Sequence, residues 1–142
     1  VPGMIYQFML KPTGDISFLY VSPGCRGLFD REPKALVQDV GAGWNLTHPE
    51  DITALNQSIG ESARTLQPWD FIWRIVVGKE TKWLRGNARP ELQPDHSIIW
   101  DGLVTDITKS KETEKRLQKS AERERTIARV IQRMRQTLKL VE

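Results

Sequence analysis

The chain has 142 residues, with 21 Lys and Arg against 18 Asp and Glu, for a net charge of +3. That length allows one domain plus an appendage, and no apolar run nears the roughly 18 residues of a membrane span. The basic residues lack the aromatic platform or groove-reading motif of a nucleic-acid binder, so no nucleic-acid partner is expected. Cys25 is the single cysteine and has no internal partner, which fits a reducing, cytoplasmic setting. Five Trp and four Phe are enough for a real core. No basic-then-apolar leader is visible, and the abrupt start at Val1 suits a piece of a longer protein.

Ile5 to Leu10 and Ile16 to Val21 read as two strands, joined by the turn Pro12-Thr13-Gly14-Asp15 into a hairpin. Ser22-Pro23 opens a short helix through Cys25 to Phe29. A second helical piece covers Asp30 to Val40, and Gly41 and Gly43 are expected to break the chain. Thr47-His48-Pro49-Glu50-Asp51 opens a longer helix, with Thr47 able to cap it and the acids at the positive end of its dipole. Ile52, Leu55, Ile59 and Ala63 share its buried face. Phe71 to Val77, Lys82 to Glu91 and Ile98 to Asp106 are three further strands. On the second of these, Leu84, Gly86 and Ala88 face one way and Trp83, Arg85, Asn87 and Arg89 the other. Separate blocks of strands and helices predict an α+β domain, a five-stranded antiparallel sheet with helices on one side.

At Trp100 to Lys111 a strand turns into a helix. Thr108 is placed as its N-cap. From residue 109 onward the composition is helical and mixed in charge. Ile127, Ile131, Met134, Leu138 and Val141 recur in steps of four and three, the seam of a coiled coil, and Leu117 extends it backward. Ser110, Thr113, Ser120 and Glu124 weaken it between 109 and 124. Two readings stay open: one long pairing helix, or a connector to about Gln118 followed by the first helix of another domain.

No catalytic constellation is present: no phosphate-cradling Gly-rich loop, no G-x-S-x-G, and no His after residue 108 to accept a phosphoryl group. No Cys/His cluster has metal-ligand spacing. No enzyme activity and no metal site are therefore expected of this stretch. Cys25 reads as a buried structural thiol and His96 as a solvated turn residue.

Several stretches, taken in order, resemble a PAS domain, the sensory α+β fold. They are F-L-Y-V-S-P-G at 18–24, H-P-E-D at 48–51, W-D-F-I-W-R-I at 69–75, K-W-L-R-G-N-A-R-P at 82–90 and G-L-V-T-D-I-T at 102–108. Two hairpin turns depart from the pattern. Gly78-Lys79-Glu80-Thr81 lacks the usual Asp-Gly, and Asp95-His96-Ser97 lacks a Gly.

The resemblance implies a PAS domain over residues 1–108 and a signalling or linker helix over 109–142. It implies a homodimer within a bacterial sensor histidine kinase of a two-component phosphorelay, with a GAF or kinase domain downstream. Asp106, Ile107 and Thr108 would form the signal junction, with Trp83, Arg85 or Arg74 as partners of Asp106. A cavity between sheet and helices would be lined by Tyr6, Phe8, Phe18, Tyr20 and Phe71, with Trp73, Leu84, Ala88 and Leu103 beyond them. Gly86, Ala88 and Gly102 would leave room, unless the aromatics fill it. No cofactor is expected. The alternatives are a ligand-free assembly module, or a haem or small-molecule sensor in which His48 would be the haem ligand.

Overall fold

A computed structural model describes residues 3–141, with side chains through residue 139. The chain divides into two compact units between Thr108 and Lys109.

The first unit opens with β1 (Gly3–Leu10) and β2 (Ile16–Val21). Four helices follow: α1 (Cys25–Phe29), α2 (Pro33–Gln38), α3 (Gly41–Trp44) and α4 (Ile52–Thr65). It closes with β3 (Trp69–Val77), β4 (Glu80–Leu92) and β5 (Ile98–Asp106). The strands form one antiparallel sheet in the order β2-β1-β5-β4-β3. The α+β architecture expected from the element order is the one found. Gly41 and Gly43 do not break the chain but lie in α3, whose start is held by Asp39 Oδ1 accepting the Gly41 N–H at 3.0 Å.

Alternation along the strands decides which side chains are buried. Met4, Tyr6 and Phe8 of β1, Trp69, Trp73 and Ile75 of β3, and Trp100 and Val104 of β5 face the core. On α4 the buried face is narrower than the periodicity predicts. Leu55 is buried, whereas Ile52 is exposed. Two serines complete that face. Ser58 Oγ accepts the Trp69 indole N–H at 2.9 Å, and Ser62 Oγ accepts that of Trp100, also at 2.9 Å. Each hydroxyl donates in turn to a backbone carbonyl, Leu55 O and Gln67 O. A buried indole N–H without an acceptor is costly, so these serines dock the helix onto the sheet.

The turn into β5 explains one departure seen in the sequence. His96 takes the left-handed conformation, φ 68°, where a glycine would be unstrained. Gly78 supplies the same geometry, φ 62°, between β3 and β4.

The second unit is the remainder of α5 (Thr108–Val141), one uninterrupted helix. No break separates a connector from a second helix near Gln118. Leu117, Ile127, Ile131, Met134 and Leu138 are exposed, and so is Val130, which the heptad reading omitted. The side chain of Val141 lies outside the described residues.

Ser62→Ala should cost about 1–3 kcal/mol, because it leaves the buried Trp100 N–H unsatisfied. Urea denaturation checks this. Ser58→Ala should cost less, since Trp69 is the less deeply buried of the two indoles.

Candidate functional site

The first unit holds a partly open apolar cavity of about 60 Å³ between the sheet and the helices. Of the residues expected to line it, Tyr6, Phe8, Phe18 and Trp73 do. Leu84 and Ala88 are buried in the core beside it, and Phe71 stacks on Trp69 and Trp73.

Tyr20 and Leu103 do not face the cavity; both are exposed. A register shift in the β1–β2 pairing explains the first. Phe8 pairs with Phe18 but Gln7 with Tyr20, so Leu19 is an extra residue and the inward parity passes from Phe18 to Val21. Leu103 is a simple parity error. Its neighbour Gly102 faces inward opposite Tyr6 and Ala88, so Leu103 must face outward, opposite Ile5 and Asn87.

Gly86 and Gly102 do not leave empty space. A Cβ on Gly86 would collide with the Trp69 ring and come within 3.0 Å of Trp73. One on Gly102 would sit 2.8 Å from Tyr6 Cζ. The rings lie over these glycines, so most of the room is filled by aromatics. Leu36 of α2, Trp44 of α3 and Leu55 and Ile59 of α4 complete the wall. The sequence offered no face assignment for α2 or α3, so their contributions went unrecognised.

The cavity does not fit haem. Its volume is far too small for the macrocycle, no charged side chain lines it, and His48 is not among its lining residues. His48 Nδ1 instead accepts the Glu50 backbone N–H at 3.1 Å, and the His48 backbone N–H donates to Arg74 O. Among the described residues no cluster of His, Cys, Asp or Glu has the arrangement of a metal site. Cys25 is fully buried, its Sγ donating to Arg31 O, and burial pushes its thiol up, away from the reactive thiolate.

The strand-to-helix junction is built from one carboxylate and one hydroxyl. Asp106 Oδ1 accepts the Thr108 N–H at 2.9 Å and the Thr108 hydroxyl at 2.5 Å. Thr108 Oγ1 in turn accepts the Trp83 backbone N–H at 3.0 Å, and the Ile107 backbone N–H donates to Trp83 O. Thr108 is thus not a hydroxyl cap for the following turn. Its hydroxyl ties β5 to β4, and the carboxylate of Asp106 satisfies the first helical N–H.

Arg74 and Arg85 do not pair with Asp106. Arg85 pairs with Asp70 across β3 and β4. Arg74 grips Asp51 through two hydrogen bonds, Nε to Oδ2 at 3.0 Å and Nη2 to Oδ1 at 2.8 Å. Its backbone N–H also donates to Asp51 Oδ2. The guanidinium lies over the Trp83 ring, 5.3 Å from its centroid. One connected set therefore runs from the start of α4 through Arg74 and Trp83 to Thr108 and Asp106. Arg74 holds the Asp51 carboxyl below the usual carboxylate range.

No protein-family model and no curated protein matches the sequence. Solved structures match it at low identity. A domain of a candidate light- and redox-sensing histidine kinase from Haloarcula marismortui is 18% identical, with a TM-score of 0.64 over 75% of this chain and 90% of that one. A sensory box histidine kinase/response regulator from Burkholderia thailandensis is 17% identical, with a TM-score of 0.63 over 85% and 90%. The N-terminal domain of a diguanylate cyclase with PAS/PAC sensor from Marinobacter aquaeolei is 14% identical, with a TM-score of 0.60 over 77% and 98%. The fold is the PAS fold.

Because the folded pKa of Asp51 is depressed, its pairing contributes stability above the unfolded value of about 3.9, lost as pH falls through the folded value. The stability gap between the native chain and Asp51→Asn should be full above about pH 5 and shrink below about pH 4. Denaturation midpoints measured across that range check this. A gap that stays constant into acid would contradict it.

Proposed function

We propose that the chain is a PAS-type sensory and dimerisation module of a larger signalling protein. The observation that carries this reading is the connected set Asp51–Arg74–Trp83–Thr108–Asp106. It begins at the N-cap of α4, a helix that also walls the cavity, and ends where β5 becomes α5. A change in the core that moves α4 is felt by Arg74. A change at Arg74 bears on Trp83, whose backbone N–H and C=O both bond the junction. The division into residues 1–108 and 109–142 then separates input from output, and the exposed apolar side chains of α5 pair with a second copy to carry the change onward. Histidine-kinase and diguanylate-cyclase parents both occur among the similar structures. We favour a cytoplasmic sensor histidine kinase, with a GAF or kinase domain following. Among the described residues no helix is long and apolar enough to cross a membrane.

A second reading, a ligand-free assembly module, draws on the apolar residues exposed along α5, which as a lone helix would have nothing to bury them. One experiment separates the two. Asp106→Ala is placed in the full-length signalling protein, and regulated output is measured beside dimer mass. The relay reading expects a folded dimer whose output no longer responds. Unchanged regulation would contradict it and favour assembly alone.

A further inference from the structure

Helix α5 changes character at Arg125. From Lys109 to Glu124 it mixes six basic residues with four acidic ones, the pattern of a solvated helix with local ion pairs such as Lys111–Glu114. From Arg125 to Lys139 it carries five basic residues and no acidic one. The two kinds of side chain are segregated around the helix. At about 100° per residue, Ile127, Val130, Ile131, Met134 and Leu138 share one arc of about 100°. Arg125, Arg129, Arg133, Arg135 and Lys139 take the remaining circumference, with Gln132 and Gln136 between them. All these side chains are exposed. Among the described residues none of the five basic ones has an ion-pair partner.

We infer that residues 125–139 of α5 dock along an anionic membrane surface, with the apolar stripe among the acyl chains and the basic side chains at the lipid headgroups. Arg133 and Arg135 flank the stripe, where a long stem lies on apolar surface while its charge stays at the headgroups. Arg125, Arg129 and Lys139 lie farther round. A helix is only about 10–12 Å across, so they too stay within about one Debye length of the headgroup charge. An acidic protein groove would meet the stripe and its two flanking arginines and leave the far side unanswered. A second copy answers the charge least well. Between 125 and 139 it offers no carboxylate to any of the arginines. A two-stranded seam through Ile127, Ile131, Met134 and Leu138 also leaves Val130 at its margin. No helix here is long and apolar enough to cross the bilayer, so the contact is one of lying on it.

This goes beyond the relay reading and does not rest on it. The stripe cannot face a bilayer and a second copy at once, so membrane docking and pairing through Ile127–Leu138 compete. The test is co-flotation of the full chain with vesicles, either pure phosphatidylcholine or phosphatidylcholine with about one-third phosphatidylglycerol. The chain should bind the anionic vesicles saturably and the neutral ones at least tenfold more weakly. Raising salt from about 0.1 M to about 0.5 M should weaken the anionic binding. Each arginine lost should cost about fivefold in affinity, so Arg129→Gln with Arg133→Gln should weaken binding roughly thirtyfold. Ile131→Ser with Met134→Ser should weaken it at least tenfold, since both side chains would lie among the acyl chains. All four positions are exposed, and tryptophan fluorescence, which arises only in the sheet unit, reports that unit's fold in each variant. If circular dichroism shows that the serine variant has lost its helix, the glutamine variant decides. Equal binding to the two kinds of vesicle overturns the inference, and so does undiminished binding in the glutamine variant or in a helical serine variant. No binding to either overturns it too. The occupant is then a second copy if the serine variant loses dimer mass, and an acidic protein groove if it does not.

Discussion

The seating of Trp69 and Trp73 over Gly86 is the constraint on which the rest of the sheet unit depends. Both rings need the space that a single Cβ would occupy. With the glycine in place, the two indoles pack at 5.6 Å, and Phe71 stacks against both. Tyr6 repeats the device over Gly102. Interiors pack as densely as organic crystals, so large rings laid over glycines fill the core almost completely. What is left is a small cavity, and its size follows from the number of rings rather than from any separate feature.

Helix α4 is tied both to that filled core and to β3. It walls the cavity through Leu55 and Ile59 and accepts the indole N–H groups of Trp69 and Trp100 through Ser58 and Ser62. At its other end Asp51 is clamped to Arg74. Leu46 and His48 just upstream add backbone bonds to β3, Val76 N–H to Leu46 O and His48 N–H to Arg74 O. A helix so held cannot shift at one end without loading the other. The junction is small by comparison, with Asp106, Ile107 and Thr108 meeting one residue of β4, Trp83.

Much of this was legible in the sequence, for identifiable reasons. Alternation and turn chemistry placed the five strands, and the D-I-T stretch marked the junction. Leu84, Gly86 and Ala88 were assigned to the correct face, because β4 is regular through them. The errors fall where regularity stops. The extra residue at Leu19 reversed the face of Tyr20, and a bulge leaves no compositional mark. Arg74 and Arg85 were expected at Asp106, yet each has a nearer carboxylate, Asp51 and Asp70, which only the cross-strand and helix-to-strand geometry reveals. Ser58 and Ser62 read as polar helix positions, since nothing local shows that a tryptophan from another strand needs an acceptor there. Thr47 and Thr108 both looked like helix caps. In each case the tertiary contact claimed the backbone or the hydroxyl first.

The central claim is that the ring-filled core and the junction form one energetic unit. A double-mutant cycle between Trp69→Phe in the core and Asp106→Asn at the junction tests it most directly, with stability measured by urea denaturation for both single variants and the double. The two residues share no hydrogen-bond partner, and independent sites add to within about 0.3–0.5 kcal/mol. The account predicts a coupling energy clearly above that limit. Simple additivity would contradict it and leave the core and the junction as separate structures on one sheet.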